Sequence, residues 1–296
     1  MPGELETRFG ILVLSGKPNA GKSTLLNALV GEKLAIVSTK PQSTRTPVMG
    51  LVTEGDTQLL FVDPPGLLEP TSMMQESMLE CAVQALSGAN GVLYLHPINV
   101  GQMPSFDHLV PGFDPNSVPV ANVFTKADLL PENTLPSRAS EEFVVSAKTG
   151  YGLDELLHWC RERAVPGEFR YDPEDIGTQP MRFFVQEIVR ETTFEVLDQE
   201  LPYAIAALVD EYRENQEPVY IRVILHVERE SQKGIVIGKN GATIRQIGAQ
   251  SRTKIEELLG ERVYLDLWVK VLAKWRKSPE MLRMLGLPVA GKKGSL

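Results

Sequence analysis

The sequence predicts an α/β domain built on a mostly parallel sheet, followed by a smaller α+β domain. In residues 1–165, apolar runs typical of strands alternate with helical patterns, an order that favours a parallel sheet covered by helices. An aperiodic stretch at 166–180 is typical of a linker. Residues 181–287 then follow a different order, αββααβ, and we expect a flexible tail at 288–296.

The elements of the first domain follow from local patterns. An apolar run at 9–15 predicts a strand, and the Gly-rich octet after it opens a helix over 22–31. Turn residues at 54–56 separate two apolar runs, which predicts a hairpin. Two places leave little room for a helix. Prolines interrupt residues 97–118, and the stretch between Asp128 and Ser146 is short. The other predicted elements are strands at 48–53, 57–63, 92–95, 118–124 and 143–145 and helices at 71–87 and 153–164.

The second domain begins with a helical pattern at 181–197. Strict alternation along 219–228 is typical of a half-buried strand, and two helical stretches then flank a Gly-rich turn. The remaining predicted elements are a strand at 202–212, a helical turn at 231–237, a helix at 241–259 and a strand at 263–271.

Composition excludes some classes of protein and favours others. No apolar run approaches the ~20 residues that cross a bilayer, and the polar start lacks a secretory signal. Cys81 and Cys160 are far apart without metal-ligand spacing, so we expect a soluble, intracellular protein with reduced thiols. The net charge is −8, yet residues 231–296 carry 13 Lys and Arg against 5 Asp and Glu. This asymmetry indicates either a polyanionic partner or a solvated basic face.

The apolar run 11–14 leads into an octet of the form GxxxxGK[ST]. Glycines allow backbone N–H groups to surround an anion, and the following helix offers its N-terminus to phosphates. We predict that Lys22 reaches the β- and γ-phosphates and that Ser23 binds Mg²⁺. The Asn19 amide oxygen is a candidate ligand for K⁺. The predicted nucleotide contacts of this loop are Gly16, Lys17, Pro18, Asn19, Ala20, Gly21, Lys22, Ser23 and Thr24.

Two later segments are predicted to sense the γ-phosphate. The first is a DxxG sequence after the strand 57–63, in which Asp63 would hold Mg²⁺ through water and the Gly66 N–H would contact the phosphate. The second is a polar switch segment in which Thr44 is the predicted metal-contacting hydroxyl and Ser43 the alternative. We expect Lys22, Thr44, Asp63 and Gly66 to serve catalysis. The predicted contacts of these segments are Gln42, Ser43, Thr44, Arg45, Thr46, Asp63, Pro64, Pro65, Gly66 and Leu67.

Two short motifs at strand ends, one of four residues and one of three, predict which base the bound nucleotide carries. The sequence 125–128 resembles [NT]KxD, whose carboxylate accepts hydrogen bonds from the guanine ring N–H and amine. Adenine lacks that donor pair, so Asp128 would discriminate against ATP. Ser146-Ala147-Lys148 would offer the Ala147 N–H to the guanine carbonyl. The predicted base contacts are Thr125, Lys126, Ala127, Asp128, Ser146, Ala147 and Lys148.

The second domain contains a GxxG turn, Gly238–Gly241, between two helical stretches. Such a turn clamps the backbone of single-stranded RNA while nearby apolar residues receive bases. We expect Ile235, Ile237, Ile244 and Ile247 to form its core, and Lys239 to contact phosphates. The predicted RNA contacts are Ile237, Gly238, Lys239, Asn240, Gly241, Arg245, Lys274, Arg276 and Lys277.

Over residues 9–287 the chain resembles the Era family of bacterial GTPases, which join a Ras-like P-loop GTPase domain to a C-terminal type II KH domain. The most specific matches are 16–23 with 42–46, and 228–241 through to Trp275-Arg276-Lys277. The resemblance implies GTP and GDP with Mg²⁺ as ligands. It also implies binding to the 3′ end of small-subunit ribosomal RNA and assistance in assembling that subunit. It further implies a monomer in the cytoplasm with some peripheral contact with the inner membrane.

The sequence departs from the family pattern at several positions. Thr125 replaces the usual Asn and loses an amide that ties the base loop to the phosphate loop. Pro64 stands where Thr is usual, and His96 stands where a strand usually ends in Asp; we interpret His96 as structural. Like the family, the chain has a hydrophobic residue, Leu67, where Ras-like enzymes position water with Gln, so we expect slow hydrolysis stimulated by RNA or a monovalent cation.

We therefore interpret the chain as a GTP-hydrolysing switch that presents an RNA-binding domain. The shortened region 97–145 keeps one alternative open, an RNA-binding chaperone with a degenerate nucleotide domain. A second alternative is a P-loop kinase or ATPase, since the phosphate loop alone does not select the base.

Overall fold

The computed structural model describes residues 7–38, 40, 42–110, 113–114, 116–131 and 141–289. These residues form two compact units: the first contains the residues up to Thr71 and Gln75–Thr178, and the second contains Ser72–Met74 and Gln179–Val289. Most of the predicted tail, residues 290–296, lies outside the described residues. Within the described ranges, no helix is long and apolar enough to cross a membrane.

The first unit is a mostly parallel sheet with strand order β2-β3-β1-β4-β5-β6. Strand β2 pairs antiparallel with β3, which confirms the predicted hairpin, and the short β7 pairs antiparallel with β1. Strands β3 and β4 are buried along their whole length because both faces of the sheet are covered. The strands are β1 (Arg8–Gly16), β2 (Val48–Glu54), β3 (Thr57–Asp63), β4 (Gly91–Pro97), β5 (Val120–Thr125), β6 (Glu142–Val144) and β7 (Val165–Pro166).

Helices pack on this sheet through apolar faces. Helices α1 and α4 contact β1 and β3, and α4 buries Leu156, Trp159 and Cys160 at helical spacing. Helix α2 joins a buried cluster that includes Val13 and Val92. The helices are α1 (Lys22–Val30), α2 (Met73–Leu86), α3 (Phe106–Leu109) and α4 (Leu153–Glu162).

The sequence predicts little helix in two stretches of the first unit. The stretch 97–118 contains one helical turn, α3, whose Phe106 ring lies 4.9 Å from both the Tyr94 and Phe113 rings, measured between centroids. This aromatic cluster accounts for a helical turn within a Pro-rich stretch. The short stretch before Ser146 lies partly outside the described residues, at 132–140.

Most of the predicted linker is bound to the first unit. The Gln58 side chain is fully buried on β3, and its carbonyl accepts hydrogen bonds from the N–H groups of Arg170 (3.0 Å) and Tyr171 (3.1 Å). Its amide donates to the Tyr171 carbonyl at 3.0 Å. Farther on, the Leu51 N–H donates to the Ile176 carbonyl at 2.9 Å, and Gly177 bridges to β2. Residues 166–177 are therefore anchored along the β2–β3 hairpin.

The second unit has the predicted αββααβ order, with a further short helix at the end. Its sheet has the order β10-β9-β8, in which β10 is parallel and β8 antiparallel to β9. The sequence predicts a strand from 202, but Pro202–Ala204 form a 3₁₀ turn and β8 begins at Ala206, because proline cannot donate to a strand ladder. The elements are α5 (Met181–Val196), β8 (Ala206–Arg213), β9 (Val219–Val227), α6 (Glu230–Ile237), α7 (Ala242–Leu259), β10 (Val263–Val271) and α8 (Pro279–Met284).

The core of the second unit lies between one face of this sheet and its helices. Alternate residues of β9, Ile221, Val223 and Leu225, are fully buried together with Val185 of α5 and Ile247 of α7. Because side chains alternate across a strand, the residues between them lie on the opposite face, where Tyr220 and Arg222 are half-buried whereas Ile224 and His226 are buried. The core thus fixes which face of the sheet is left for other contacts.

The three hydrogen bonds between the Gln58 side chain and residues 170–171, which we call the Gln58 clamp, lead to a prediction about stability. Replacing Gln58 with Leu leaves three backbone groups of residues 170–171 without their partner, so we expect the first unit to lose about 3 kcal/mol of stability. Urea unfolding measures the loss, and limited proteolysis measures faster cleavage within 166–177. The Gln84→Leu variant, on an exposed position of α2, is the matched control. Equal stability of the two variants would contradict a structural role for the clamp.

Candidate functional site

The phosphate-loop sequence forms a tight turn between β1 and α1. Gly16 and Gly21 adopt positive φ angles of 150° and 94°, and a Cβ on Gly16 would lie 2.6 Å from the Leu95 carbonyl oxygen. Asn19 also has a positive φ, 63°, which asparagine tolerates better than most residues. The Ala20 N–H donates to the Lys17 carbonyl at 3.2 Å. The loop is thus a concave backbone turn at a helix N-terminus, a geometry that binds anions.

The three predicted Mg²⁺ ligands lie together beside this turn. The Ser23 hydroxyl donates to Asp63 Oδ2 at 2.6 Å, and its oxygen lies 3.1 Å from the Thr44 hydroxyl. Asp63 is fully buried at the end of β3, and its second oxygen, Oδ1, has no hydrogen-bond partner within the described part of the chain. Ser23 belongs to α1 and Thr44 to the loop before β2, so three separate segments bring oxygen atoms to one point.

Burial changes the acidity of both charged groups in this cluster. It raises the pKa of the Asp63 carboxyl to about 6, although the nearby Lys22 ammonium and the Ser23 hydrogen bond act in the opposite direction. Burial also lowers the pKa of the Lys22 ammonium, which the Asp63 charge partly offsets. The Lys22 ammonium donates to the Lys17 carbonyl at 3.4 Å. Both charged forms are therefore poorly solvated; a bound cation would stabilise the Asp63 carboxylate, and a bound anion would stabilise the Lys22 ammonium.

The DxxG segment packs directly on the phosphate loop. The Leu67 N–H donates to the Gly16 carbonyl at 2.9 Å, and a Cβ on Gly66 would lie 2.8 Å from the Pro18 nitrogen. Only glycine fits there without a shift of the backbone. Pro64, Pro65 and Leu67 are buried, so this segment is held at the loop by packing as well as by a hydrogen bond.

The predicted switch segment is tied to the first turn of α2. The Gln75 amide donates to the Gln42 side-chain carbonyl at 3.1 Å. Thr44 and Arg45 are buried, whereas Gln42, Ser43 and Thr46 are half-buried. The segment is thus placed by contacts on both of its sides rather than extending into solvent.

The base-loop residues lie at the ends of β5 and β6, as parallel strand order requires. Lys126 adopts a positive φ of 63°, and the exposed Asp128 accepts a hydrogen bond from the Ser146 hydroxyl at 2.7 Å. Ser146 is buried, Ala147 is half-buried and Lys148 is exposed. The predicted carboxylate and the predicted second base loop are therefore in direct contact.

Thr125 corrects one expectation from the sequence. The loss of the usual amide predicts the loss of a tie between the base loop and the phosphate loop. Instead, the buried Thr125 hydroxyl donates to the Ala20 carbonyl at 2.7 Å. A Cβ on Gly21 would lie 3.3 Å from that hydroxyl oxygen, so the two loops approach closely enough for a short side chain to join them.

These segments line one cavity of about 370 Å³. Its lining includes most of the phosphate loop, the switch residues 42–44, Gly66 and Lys126, and it also includes Ile36, Val37 and Ser38, which the sequence does not predict. An apolar pair just before the polar switch segment is the signal that could have indicated them. The exposed Lys17 and Thr24 flank the same loop. His96, interpreted as structural, is buried with its Nε2 against the Val100 carbonyl.

The GxxG turn of the second unit adopts a conformation that requires its glycines. Gly238 has a φ of 73°, and a Cβ there would lie 2.9 Å from the Thr243 nitrogen. Asn240 and Gly241 also have positive φ angles, 51° and 75°. Lys239 and Asn240 are exposed between α6 and α7, as a backbone clamp requires.

Two residues near this turn differ from expectation. Ile235 does not join the core but is 58% exposed, because the register of α6 turns Val236 inward instead. Arg276, a predicted RNA contact, donates from Nε to Glu228 at 3.1 Å and is half-buried. Ile237 and Ile244 are half-buried and Ile247 is fully buried. Arg245, Lys274 and Lys277 are exposed.

Comparison with protein families matches both units. Residues 11–126 match the family described as 50S ribosome-binding GTPase, and residues 200–276 match the KH domain family. GTPase Era of Thermotoga maritima is 38% identical over 296 residues, covering 96% of this chain and 98% of its own. GTPase Era of Carboxydothermus hydrogenoformans is 36% identical over 290 residues, covering 94% and 97%.

Solved structures of Era proteins are similar to this chain over nearly its whole length. A crystal structure of an Aquifex aeolicus Era variant bound to GDP·AlF₄⁻ superposes with a TM-score of 0.87 at 33% identity, covering 95% of this chain and 99% of its own. A crystal structure of Era in complex with MgGDPNP and nucleotides 1506–1542 of 16S ribosomal RNA matches with the same score, identity and coverage. The strand order, the strand-end loops and these relatives agree, and the chain belongs to the Era family of GTPases.

Proposed function

We propose that this protein is a switch that binds and hydrolyses GTP, binds small-subunit ribosomal RNA near its 3′ end, and assists assembly of the small subunit. The observation that carries the proposal is the convergence of the phosphate loop, the DxxG segment and the base loop at one sheet edge. Ser23 joins the first two and Thr125 joins the first and third. Relatives named GTPase Era and an Era structure bound to 16S ribosomal RNA support both halves of the proposal.

Guanine selectivity would come from the base loops. In this proposal Asp128 accepts two hydrogen bonds from guanine, and the Ala147 N–H contacts the guanine carbonyl. The Ser146 hydroxyl orients the Asp128 carboxylate. Lys126 lines the cavity and would cover the base with its aliphatic stem. ATP offers no donor pair to this carboxylate, which argues against the kinase or ATPase alternative.

Mg²⁺ fits the oxygen cluster beside the phosphate loop. The buried Asp63 Oδ1 atom has no hydrogen-bond partner among the described residues, the Ser23 hydroxyl donates to Oδ2 of the same carboxylate, and the Thr44 hydroxyl lies 3.1 Å from that of Ser23. Hard oxygen ligands of this kind suit Mg²⁺, which usually retains water and phosphate oxygens as well. When bound, the ion would neutralise charge on the β- and γ-phosphates.

Hydrolysis would rely on positioning and charge rather than on a glutamine. Lys22 and the Gly66 N–H would contact the γ-phosphate region, and Thr44 would close the switch segment. Leu67 is buried and apolar, so no side chain at that position orients water. We therefore propose slow intrinsic turnover that RNA binding increases. The contacts that join the phosphate loop, the switch segment and the DxxG segment support turnover rather than a degenerate nucleotide domain.

RNA would bind at the GxxG turn of the second unit. Exposed Lys239 and the backbone N–H groups of the turn would contact phosphates, and exposed Ile235 would receive an unstacked base. Arg245, Lys274 and Lys277 would add positive charge, whereas Arg276 would act mainly by fixing Glu228. We further propose a monomer that acts in the cytoplasm and makes peripheral contact with the inner membrane.

The base-loop assignment can be tested by calorimetric titration of GDP and ADP in Mg²⁺. We expect GDP to bind with micromolar or tighter affinity and ADP to bind at least about 100-fold more weakly. In the Asp128→Asn variant, preference should move to xanthosine diphosphate, whose ring carbonyl can accept from the new amide. Equal affinity for GDP and ADP in the folded wild-type protein would refute the proposed site.

The tie between the loops gives a second prediction. In the Thr125→Val variant the Ala20 carbonyl loses its donor and shape is preserved, so GDP should bind about tenfold more weakly, a loss of about 1.4 kcal/mol. The Thr253→Val variant, on an exposed position of α7, controls for the general effect of removing a threonine hydroxyl. If both variants bind GDP like the wild type, the hydroxyl does not position the base loop.

The Asn19 side chain gives a third prediction. If its amide oxygen helps to hold K⁺ near the phosphates, single-turnover GTP hydrolysis should be at least about fivefold faster in K⁺ than in Na⁺, as expected for ~1 kcal/mol of transition-state stabilisation. The Asn19→Ala variant should lose the difference between the two ions. Equal rates in both ions for the wild type would contradict a role for K⁺.

A further inference from the structure

The open face of the second unit's sheet carries exposed aromatic side chains. Tyr264 and Trp268 lie on β10, and their side chains are 59% and 49% exposed although strand aromatics are usually buried. Tyr220 and Arg222 of the neighbouring strand β9 lie on the same face. They alternate with Ile221 and Val223, which point into the core on the other side of the sheet. We name Tyr220, Arg222, Tyr264 and Trp268 the sheet-face cluster.

Contacts within the cluster hold its rings in place. Tyr220 and Tyr264 are paired across the strands and stack with centroids 5.8 Å apart and ring planes 13° apart. The Arg222 guanidinium lies 5.4 Å from the Trp268 ring and 5.6 Å from the Tyr220 ring. The Tyr220 hydroxyl donates to Asp266 at 2.8 Å. The rings are thus ordered before any ligand arrives, which lowers the entropic cost of binding.

The charges around the cluster are not evenly distributed. Three carboxylates share this face, and each lies within 4 Å of an Arg222 nitrogen: Asp266 at 3.1 Å, Glu211 at 3.4 Å and Asp210 at 3.8 Å. Their charge is therefore concentrated around one arginine. Along β10 itself, exposed Lys270 lies 5.9 Å from the Trp268 ring, and exposed Lys274 and Lys277 follow the strand. The edge strand thus carries two exposed rings and Lys270, and the one carboxylate between the rings, Asp266, is paired with Arg222.

Strand β10 also connects this face with the GxxG turn. It is an edge strand of the sheet, and it contacts both α6 and α7, the helices that flank the turn. In the described part of the chain no strand lies beyond β10, so an RNA that leaves the turn can pass over this edge and reach Tyr264 and Trp268. Tyr264 and Trp268 are four residues apart, about 13 Å along the strand, which leaves room for two separate bases.

We propose that the sheet-face cluster is a second RNA-binding site, at which Tyr264 and Trp268 stack on bases of single-stranded RNA leaving the GxxG turn. Every base has a π-face, so such stacking tolerates any sequence, and Lys270 on β10 with Lys274 and Lys277 after it provide the phosphate contacts that accompany it. The inference rests on the proposed RNA binding by the second unit. It predicts that the protein contacts more RNA nucleotides than the four that a GxxG turn clamps.

RNA length separates the two sites in an experiment. A 5-nucleotide and a 14-nucleotide single-stranded RNA, each labelled with fluorescein, are titrated by anisotropy with the wild type and with the Tyr264→Ala/Trp268→Ala double variant. We expect the double variant to bind the 14-mer at least about tenfold more weakly and the 5-mer unchanged. Trp268→Phe, which keeps a ring, should retain most of the affinity. Met284→Ala, an exposed apolar position on α8, is the control.

Tryptophan fluorescence provides an independent readout. Trp159 and Trp275 are buried, so Trp268 is the indole that solvent quenchers reach in the described chain. The 14-mer should quench its emission and protect it from iodide, whereas the 5-mer should do neither. The Lys239→Glu variant, altered only at the turn, should bind both RNAs more weakly.

The outcomes distinguish the inference from the function on which it rests. Equal affinity of the wild type and the folded double variant for the 14-mer, with Lys239→Glu still weakened, would overturn the second site and leave the cluster as a protein-contact face. If neither RNA binds the wild type at any length, both the second site and the RNA-binding proposal fail. Weaker binding of the 5-mer by the double variant would place the cluster within the first site and would also overturn the inference.

Discussion

The first unit depends on a buried carboxylate that is only half satisfied. Asp63 lies at the end of a strand with no exposed neighbours, and one oxygen accepts from Ser23 while the other has no partner. Its ionised form is costly there, as its raised pKa indicates. The cost is tolerable because Lys22 lies nearby and because hydroxyls from two other segments surround the group. A charged ligand would thus complete the interior of the unit and not merely attach to its surface.

The order of the parallel strands explains how the loops around this carboxylate are arranged. Each loop follows a strand, and parallel strands place those ends at one edge of the sheet. The loops then hold one another through single contacts: Ser23 to Asp63, Leu67 to Gly16, and Thr125 to Ala20. A shift in any one loop is therefore transmitted to the phosphate loop, which is the shared partner in all three contacts.

Much of this could be predicted from the sequence because it depends on local patterns. The fold class, the hairpin and the order of the strand-end motifs follow from periodicity and from glycines at positive φ. The Thr125 tie could not be predicted, since it depends on how closely two distant loops approach. Likewise, helical period alone does not show whether Ile235 or Val236 turns inward in a helix as short as α6. Gln58 gave no signal, because a glutamine in a strand usually marks an exposed position.

The Gln58 contacts have a consequence for how the chain can be divided. Residues 166–177 have the composition of a connector, but their hydrogen bonds belong to the hairpin β2–β3. A fragment cut at 165 would remove both donors to the buried Gln58 side-chain carbonyl and the contacts of residues 176–177 with β2, so it would be an incomplete protein rather than an isolated domain. A fragment that keeps these hydrogen bonds, in a gene fusion for example, has to extend to Thr178, where the first unit ends.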